Sequence, residues 1–461
     1  MSHQLITRAQ PPLEFIPPRF NPLVLQGCQL FLPLWLRTQT NLTDIQADGV
    51  EDLAQLYAQF QQGKIRFLMA FRHPSVNDPY AMAYLLWKLV PKVASQKGIS
   101  LQSPIHAHFI YDRGIPLWAG AGVGWLASHL GGTSIQRGTA DLLGLRSARS
   151  LFVDSFLPMA AAPEGATNGH NEIISPIEPG IAQLGFWCVN DLRKAQKNQE
   201  VFIVPIGIEY HYLTPPWGAI EKLLTELELE SGIRVADNLK GKLDETSLYQ
   251  RLFSLGEHLL SLMENFYREN YHQTIPTIPE PDLDPNQKLK NRLQNLLNIA
   301  LQVAEEYFNL GSQGELTERC RRVEQAGWDA IYRDELKSNH SLSLVERGLA
   351  DRVAEEASLR MWHMRIVENF AAVTGHYVKE KPTAERFAET ILLVWDLVTR
   401  IQGENRYFRP QLGKQRVQIR VGKPMSISNR WDDYKSNRRQ AVANLTRDLQ
   451  TALEALILTK D

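Results

Sequence analysis

The chain has 461 residues, 44% of them apolar, with 50 Lys and Arg against 51 Asp and Glu. At roughly 100–200 residues per domain, this length suggests two to four units or one domain with a large insertion, and the apolar share excludes a mostly disordered chain. A net charge of −1 offers no bulk attraction for nucleic acid, so no nucleic-acid partner is expected. The widely spaced Cys28, Cys188 and Cys320 form neither a disulfide framework nor a zinc motif and suit a reducing, cytoplasmic setting.

In chain order, the opening MSHQLITRAQPP lacks the basic and apolar regions of a signal peptide. Residues 1–60 form an N-terminal segment whose apolar part, Phe20–Leu36, is short and interrupted by Pro22, Gln26, Gln29 and Pro33. Gly114–Gln136 is uncharged but glycine-rich, with polar Ser128, His129, Thr133 and Ser134. Neither supplies the run of about 20 predominantly apolar residues that a spanning helix needs. The expectation is a chain that does not cross a membrane but can touch lipid.

Residues 61–217 alternate strand and helix patterns. Lys64–Phe71 has the length and composition of a strand, followed by the turn-like HPSVNDP and a helical pattern over Tyr80–Val90 that Pro91 should stop. Ile105–Tyr111, Ser150–Pro158 and Val201–Tyr210 are further expected strands, with a helix over Pro179–Lys197. Residues 218–405 change character. Leu248, Leu252, Leu255, Leu259, Leu262 and Phe266 line one helix face, and Pro276, Pro279, Pro281 and Pro285 mark a linker. Helical patterns then cover about 285–304, 314–335, 343–373 and 383–402. In residues 406–461, Val417, Ile419 and Val421 alternate as in a strand, and a closing helix covers about 434–458. A lone strand is not stable, so it should pair back into the first sheet. The expected fold is α/β, split by a large all-helical insertion.

Four short segments can carry chemistry. In FRHPSVNDPY, His73 ends a strand and Asp78 precedes Pro79 at a helix start. The chain can fold back so that the carboxylate accepts from imidazole Nδ1–H and leaves Nε2 as a general base; equally, Asp78 can cap the helix beside a surface His73. In APEGATNG, Gly165 lets backbone N–H groups approach a ligand, while Glu164 can bond a substrate hydroxyl or organise the loop; an ordinary Pro-Gly turn is the plainer alternative. GGTSIQRG ends near Arg137, a guanidinium able to hold a phosphate or to sit solvated at a strand end. Pro205 in Val204-Pro205-Ile206 implies a bulge, strand end or edge.

In this order, HPSVND, GGTSIQR, PEGATNG and VPI resemble the four blocks of the glycerolipid acyltransferase family, which includes glycerol-3-phosphate and 1-acylglycerol-3-phosphate acyltransferases and whose hallmark is His-x4-Asp. The resemblance covers about residues 20–215. It departs in the third block, where Ala162 replaces an aromatic residue and Ala166-Thr167 replace the common Thr-Arg. The resemblance implies a central mixed sheet flanked by helices. It also implies acyl transfer from a thioester co-substrate, acyl-CoA or acyl carrier protein, to a hydroxyl of a glycerol phosphate or lysophospholipid, with 1-acylglycerol-3-phosphate the leading acceptor. No other cofactor and no metal is implied. His73 would be the base and Asp78 its orienting partner, while Arg137, Pro163, Glu164 and Gly165 would shape the acceptor site. No seryl or cysteinyl intermediate is required. Phe20–Leu36 would lie on a bilayer as part of a peripheral membrane protein, with Trp118 and Trp125 lining an acyl groove; buried core is the plainer role for both. The same blocks also fit an acyltransferase acting on a different lipid alcohol, a thioesterase-like hydrolase, or a non-catalytic lipid-binding protein on the same scaffold.

Two further features lead elsewhere. His106 and His108 share one strand face without a third ligand at motif spacing, as core or groove residues do. Arg319, Arg321 and Arg322, among Glu315, Glu318 and Glu324, are expected on a solvated helix face.

Overall fold

A computed structural model describes residues 6–136, 141–234, 241–276, 284–337, 342–370, 376–404 and 409–457, apart from the side chain of Trp118. Among these, eight strands form one mixed sheet: β1 (Leu42–Asp48), β2 (Ile65–Phe71), β3 (His108–Asp112), β4 (Thr133–Ile135), β5 (Met159–Ala161), β6 (Glu200–Tyr212), β7 (Gln415–Val421) and β8 (Met425–Ser426). Their order is β1-β7-β6-β2-β5-β3-β4, with β8 beside β6. β6, β2, β5, β3 and β4 run parallel, β7 and β8 lie antiparallel to β6, and β1 is parallel to β7. The C-terminal strand therefore returns to the sheet, between β6 and β1.

Strand alternation sorts side chains to two cores. Phe67, Met69 and Phe71 join Val204, Ile206 and Ile208 on one face, under the helices Val50–Gln61 and Asp78–Tyr84. Leu68, Ala70, Met159, Ala161, Val201 and Ile203 face the other way, against Leu142–Asp154, Gly180–Lys194 and Arg438–Glu454. A sheet covered on both faces requires apolar residues at successive positions, which is why β2 and β6 read as continuous apolar runs.

Several local expectations are corrected. Pro91 does not stop its helix. A π-helical turn over Leu85–Leu89, in which Val90 N–H reaches back to Leu85 O, absorbs the missing donor, and the helix continues over Val90–Gln96. Ser150–Pro158 is not a strand: the helix Leu142–Asp154, capped by Asp141 through Gly144 N–H, occupies most of it, and the strand is the three-residue β5 that follows. β1 is an additional strand, irregular between Leu42 and Asp44, which breaks the alternation that would announce it. Pro205 sits where the neighbour of β6 changes from β8, paired at Phe202 and Ile203, to β7, paired from Ile206 onward. At that gap its carbonyl accepts from Gly422 N–H at 2.8 Å, and no donor is required of it.

The described residues divide into two units, one drawn from Phe15–Gln136, Ala140–Leu213 and Lys414–Asp461, which holds the sheet, and one drawn from Met1–Glu14 and Thr214–Gly413. The second unit includes the helices Trp217–Glu230, Glu245–Asn270, Pro285–Tyr307, Leu316–Ile331, Leu344–Phe370 and Ala384–Ile401. Leu248, Leu252, Leu255 and Leu259 are buried as their spacing predicts, but Met263 and Tyr267 then replace Leu262 and Phe266 in the core. Leu262 and Phe266 instead line a surface cavity with Trp362 and Ile401. Arg319 is buried rather than solvated: its guanidinium pairs with Glu305 at 2.8 Å and bonds Asn298, tying two helices. An N-terminal strap completes this unit, with Gln10 bridged to Tyr332 and Ala9 N–H on Asp351 Oδ1 at 2.9 Å. Pro279 and Pro281 of the expected linker lie outside the described residues.

Candidate active site

The parallel strands β2 and β5 are neighbours, with Ala70 opposite Ala161, so the segments that follow them leave the sheet side by side at its carboxyl end. That is where ligands bind in open parallel sheets. One segment delivers Arg72, His73 and Asp78, and the other delivers Pro163 to Ser175. β6, on the other side of β2, extends beyond the point where β2 ends and carries Tyr210 into the same region.

His73 Nδ1 lies 2.8 Å from Asp78 Oδ2. Asp78 opens its helix but does not cap it; Asn77 is the N-cap residue and makes no side-chain capping bond. The fully buried Asp78 carboxylate turns back to accept from Ser75 N–H at 3.0 Å and from the Tyr210 hydroxyl at 2.5 Å, besides His73. Burial, followed by the adjacent carboxylate, pushes the Tyr210 phenol well above its usual range, which keeps it a donor. With Nδ1 protonated against Asp78, Nε2 presents its lone pair, and the Thr167 hydroxyl donates to it at 3.1 Å. The His73 side chain is 22% exposed, open enough for a substrate to reach.

Glu164 is buried and organises the loop: Oε1 accepts from His73 N–H at 2.8 Å, and Oε2 accepts from Asn168 Nδ2 at 2.8 Å and Ser175 N–H at 3.0 Å. Burial raises its carboxyl above the usual range, opposed by Arg72 and by the backbone N–H groups of His73 and Ser175. Pro163 O accepts from Glu178 N–H at 2.7 Å, and Gly165 turns the chain at φ +75°, a conformation that strains residues bearing a Cβ. Arg72, fully buried, donates to the carbonyls of His170, Asn171 and Ile173. Asn171 in turn clamps the Tyr210 backbone, accepting its N–H at 2.8 Å and donating to its carbonyl at 2.7 Å. His73, Asp78 and the loop beside them thus form one hydrogen-bonded unit.

Three of the four blocks converge on His73 through β2, β5 and β6. The second block leads out of β4, three strands from β2 and so roughly 14 Å across the sheet. Arg137 itself lies outside the described residues, as does the Trp118 side chain. Trp125 is exposed and stacks on His129 with ring centroids 4.2 Å apart. His106 is buried; its Nδ1 accepts from Trp87 Nε1 at 3.1 Å and its Nε2 bonds Leu130 O at 2.9 Å. His108 is held by Gly131 O and Ser155 Oγ.

Sequence reasoning missed Tyr210, Arg72, Asn171 and the Thr167 contact. Tyr210 had a signal. It shares strand parity with Ile206 and Ile208, which face the same side as Phe71, while β6 runs past the end of β2. Compared with protein-family models, curated proteins and solved structures, the chain matches none.

Proposed function

We propose that this chain is an O-acyltransferase that moves a fatty acyl group from an acyl thioester, acyl-CoA or acyl carrier protein, to a hydroxyl of a glycerol phosphate or lysophospholipid, 1-acylglycerol-3-phosphate foremost. The observation that carries this reading is the His73 Nδ1–Asp78 Oδ2 contact of 2.8 Å, which leaves Nε2 as a base at the carboxyl end of a parallel sheet. His73 removes the proton of the attacking hydroxyl, and Asp78 fixes the tautomer and stabilises the imidazolium. Hydroxyl attack on a thioester needs a positioned base and no redox chemistry, and the order of the four blocks supplies the acyl and glycerolipid assignment.

The helix Pro22–Gln39 supports a peripheral membrane setting. Leu23, Leu30, Phe31, Leu34 and Trp35 are exposed on it, Leu30 to 77%, while Leu25, Leu32 and Leu36 are buried. Among the described residues no helix is long and apolar enough to cross a membrane. Such a helix can rest its apolar face in the headgroup region, where a lipid acceptor resides. An acceptor screen with labelled acyl-CoA and acyl carrier protein, resolved by lipid product, tests the reading: the expected result is a diacyl product from a lysophospholipid, and the absence of acyl transfer to every acceptor contradicts it.

A further inference from the structure

Trp187, Asn190 and Lys194 fall three and four residues apart on the helix Gly180–Lys194, so they share one face. Trp431, Lys435 and Arg438, four and three apart, come from the short helix Trp431–Ser436 and the start of Arg438–Glu454. The two sets meet, with Arg149 and Tyr434, around a surface cavity of about 390 Å³, and among the described residues no carboxylate lines it. Its volume falls within the range of small-molecule sites. The cavity lies away from His73. Lys194 ends the helix that leads to β6, and Trp431 follows β8, which pairs with Phe202 and Ile203 near the start of β6. That is the amino end of the sheet, separated from the carboxyl end by the length of β2, roughly 20 Å.

Three guanidinium groups rest on rings here. Arg149 lies 5.7 Å from the Trp187 centroid, Arg193 5.4 Å from that of Trp431, and Arg438 5.9 Å from that of Tyr434. A guanidinium so placed is held by its flat face and keeps N–H donors at its edge. Tyr434 is buried and stacks on Phe186 at 4.3 Å, so the platform is anchored in the core. Arg149 pairs with Asp191, and Lys435 pairs with Asp432 at 2.8 Å. Among the described residues, Arg193, Lys194 and Arg438 have no ion-pair partner, and the Asn190 amide has no hydrogen-bond partner.

We propose that this cavity is a nucleotide-binding site, with the phosphates on Lys194 and Arg438 and the base among the rings. Ammonium groups and guanidinium forks take phosphate oxygens. Aromatic faces and guanidinium planes stack a base, and the free Asn190 amide offers its edge both a donor and an acceptor. A bare polyphosphate would use the cations and leave the rings and the amide without a role. The shared chemistry is a base joined to two or more phosphates, whether a free nucleotide or the nucleotide end of coenzyme A. The site does not depend on the acyl-transfer reading.

The test is isothermal titration calorimetry on the full-length chain with ATP, coenzyme A, adenosine and tripolyphosphate as probes. ATP or coenzyme A should bind at least about tenfold more tightly than adenosine and than tripolyphosphate, and the tighter of the two names the source. Lys194 and Arg438 are exposed, so the double variant Lys194→Ala, Arg438→Ala should keep its unfolding midpoint while affinity falls at least about tenfold. Trp187→Leu should weaken binding about fivefold or more, and Asn190→Ala checks the base contact without disturbing the rings. Tripolyphosphate that binds as tightly as ATP and coenzyme A overturns the nucleotide assignment. So does an affinity unchanged in the double variant, or no binding of either nucleotide. Binding of phosphatidylglycerol vesicles that requires Lys194 and Arg438, without nucleotide binding, also overturns it and makes this face a lipid contact.

Discussion

Tyr210 donates its hydroxyl to Asp78 Oδ1 across 2.5 Å while His73 holds Oδ2, so the two carboxylate oxygens are divided between a buried phenol and the imidazole. The division fixes the carboxylate plane and with it the ring of His73. A hydrogen bond to a charged group contributes about 1.5–3 kcal/mol. Tyr210→Phe removes it with little change of volume. The expected outcome is a loss of about 1–3 kcal/mol in urea unfolding and about tenfold in kcat, with KM changed less than about threefold because the phenol lies behind Asp78. An unchanged kcat would mean that Ser75 N–H and the helix alone position the carboxylate.

Arg72 joins the end of β2 to the loop at His170, Asn171 and Ile173 through three carbonyls, with no exposure. Arg72→Met should leave those acceptors buried without their donor, costing on the order of 3 kcal/mol. Because Asn171 clamps Tyr210, activity should fall with stability. Denaturation midpoints and turnover on the same preparations check both, and a variant as stable as wild type would contradict this role.

His106 gives the fold an acid limit. Burial lowers it from an ordinary 6.5 to about 4, so between those values the unfolded chain takes up a proton that the folded chain refuses. Stability from the neutral ring is complete above about pH 6.5 and is lost as pH falls toward 4, on the order of 3 kcal/mol at about 1.4 kcal/mol per pH unit. His106→Gln keeps an acceptor for Trp87 and a donor for Leu130 O but cannot titrate. The stability advantage of wild type over this variant should therefore shrink by that amount between pH 7 and pH 4. An advantage that is flat across the range refutes the assignment.

The exposed face of Pro22–Gln39 should govern lipid binding. Replacing Leu30, Phe31 and Leu34 with Ser removes apolar side chains that are 77%, 64% and 58% exposed, so the cost in stability should stay within about 0.5 kcal/mol per substitution, about 1.5 kcal/mol in all. Co-sedimentation with phosphatidylcholine–phosphatidylglycerol vesicles should drop tenfold or more, since binding scales with buried apolar area. Equal sedimentation of the two proteins would place lipid contact elsewhere.

How much of this was legible depends on how locally each feature is encoded. β2, β6 and β7 stand out because burial on both faces, or strict alternation, writes itself into consecutive residues. The short β5 does not, since three residues cannot outweigh the neighbouring run Leu151-Phe152-Val153, which belongs to a helix whose inward positions Gly144, Ala148 and Phe152 recur every four residues. His73 and Asp78 are legible because five positions of chain suffice to bring them together. Tyr210 and Arg72 act across 132 and about 100 residues, and only the strand order β6-β2-β5 shows what they reach. Arg319 illustrates the converse: its acidic neighbours in sequence suggest a solvated face, whereas its actual partner, Glu305, comes from the preceding helix.

The most direct test of the central claim is turnover of labelled acyl-CoA and 1-acylglycerol-3-phosphate by wild type and His73→Ala at matched concentration. Wild type should give a diacyl product, and the variant a kcat lower by about 10²–10⁴-fold at an unchanged unfolding midpoint. A His73→Ala protein that turns over within tenfold of wild type would contradict it.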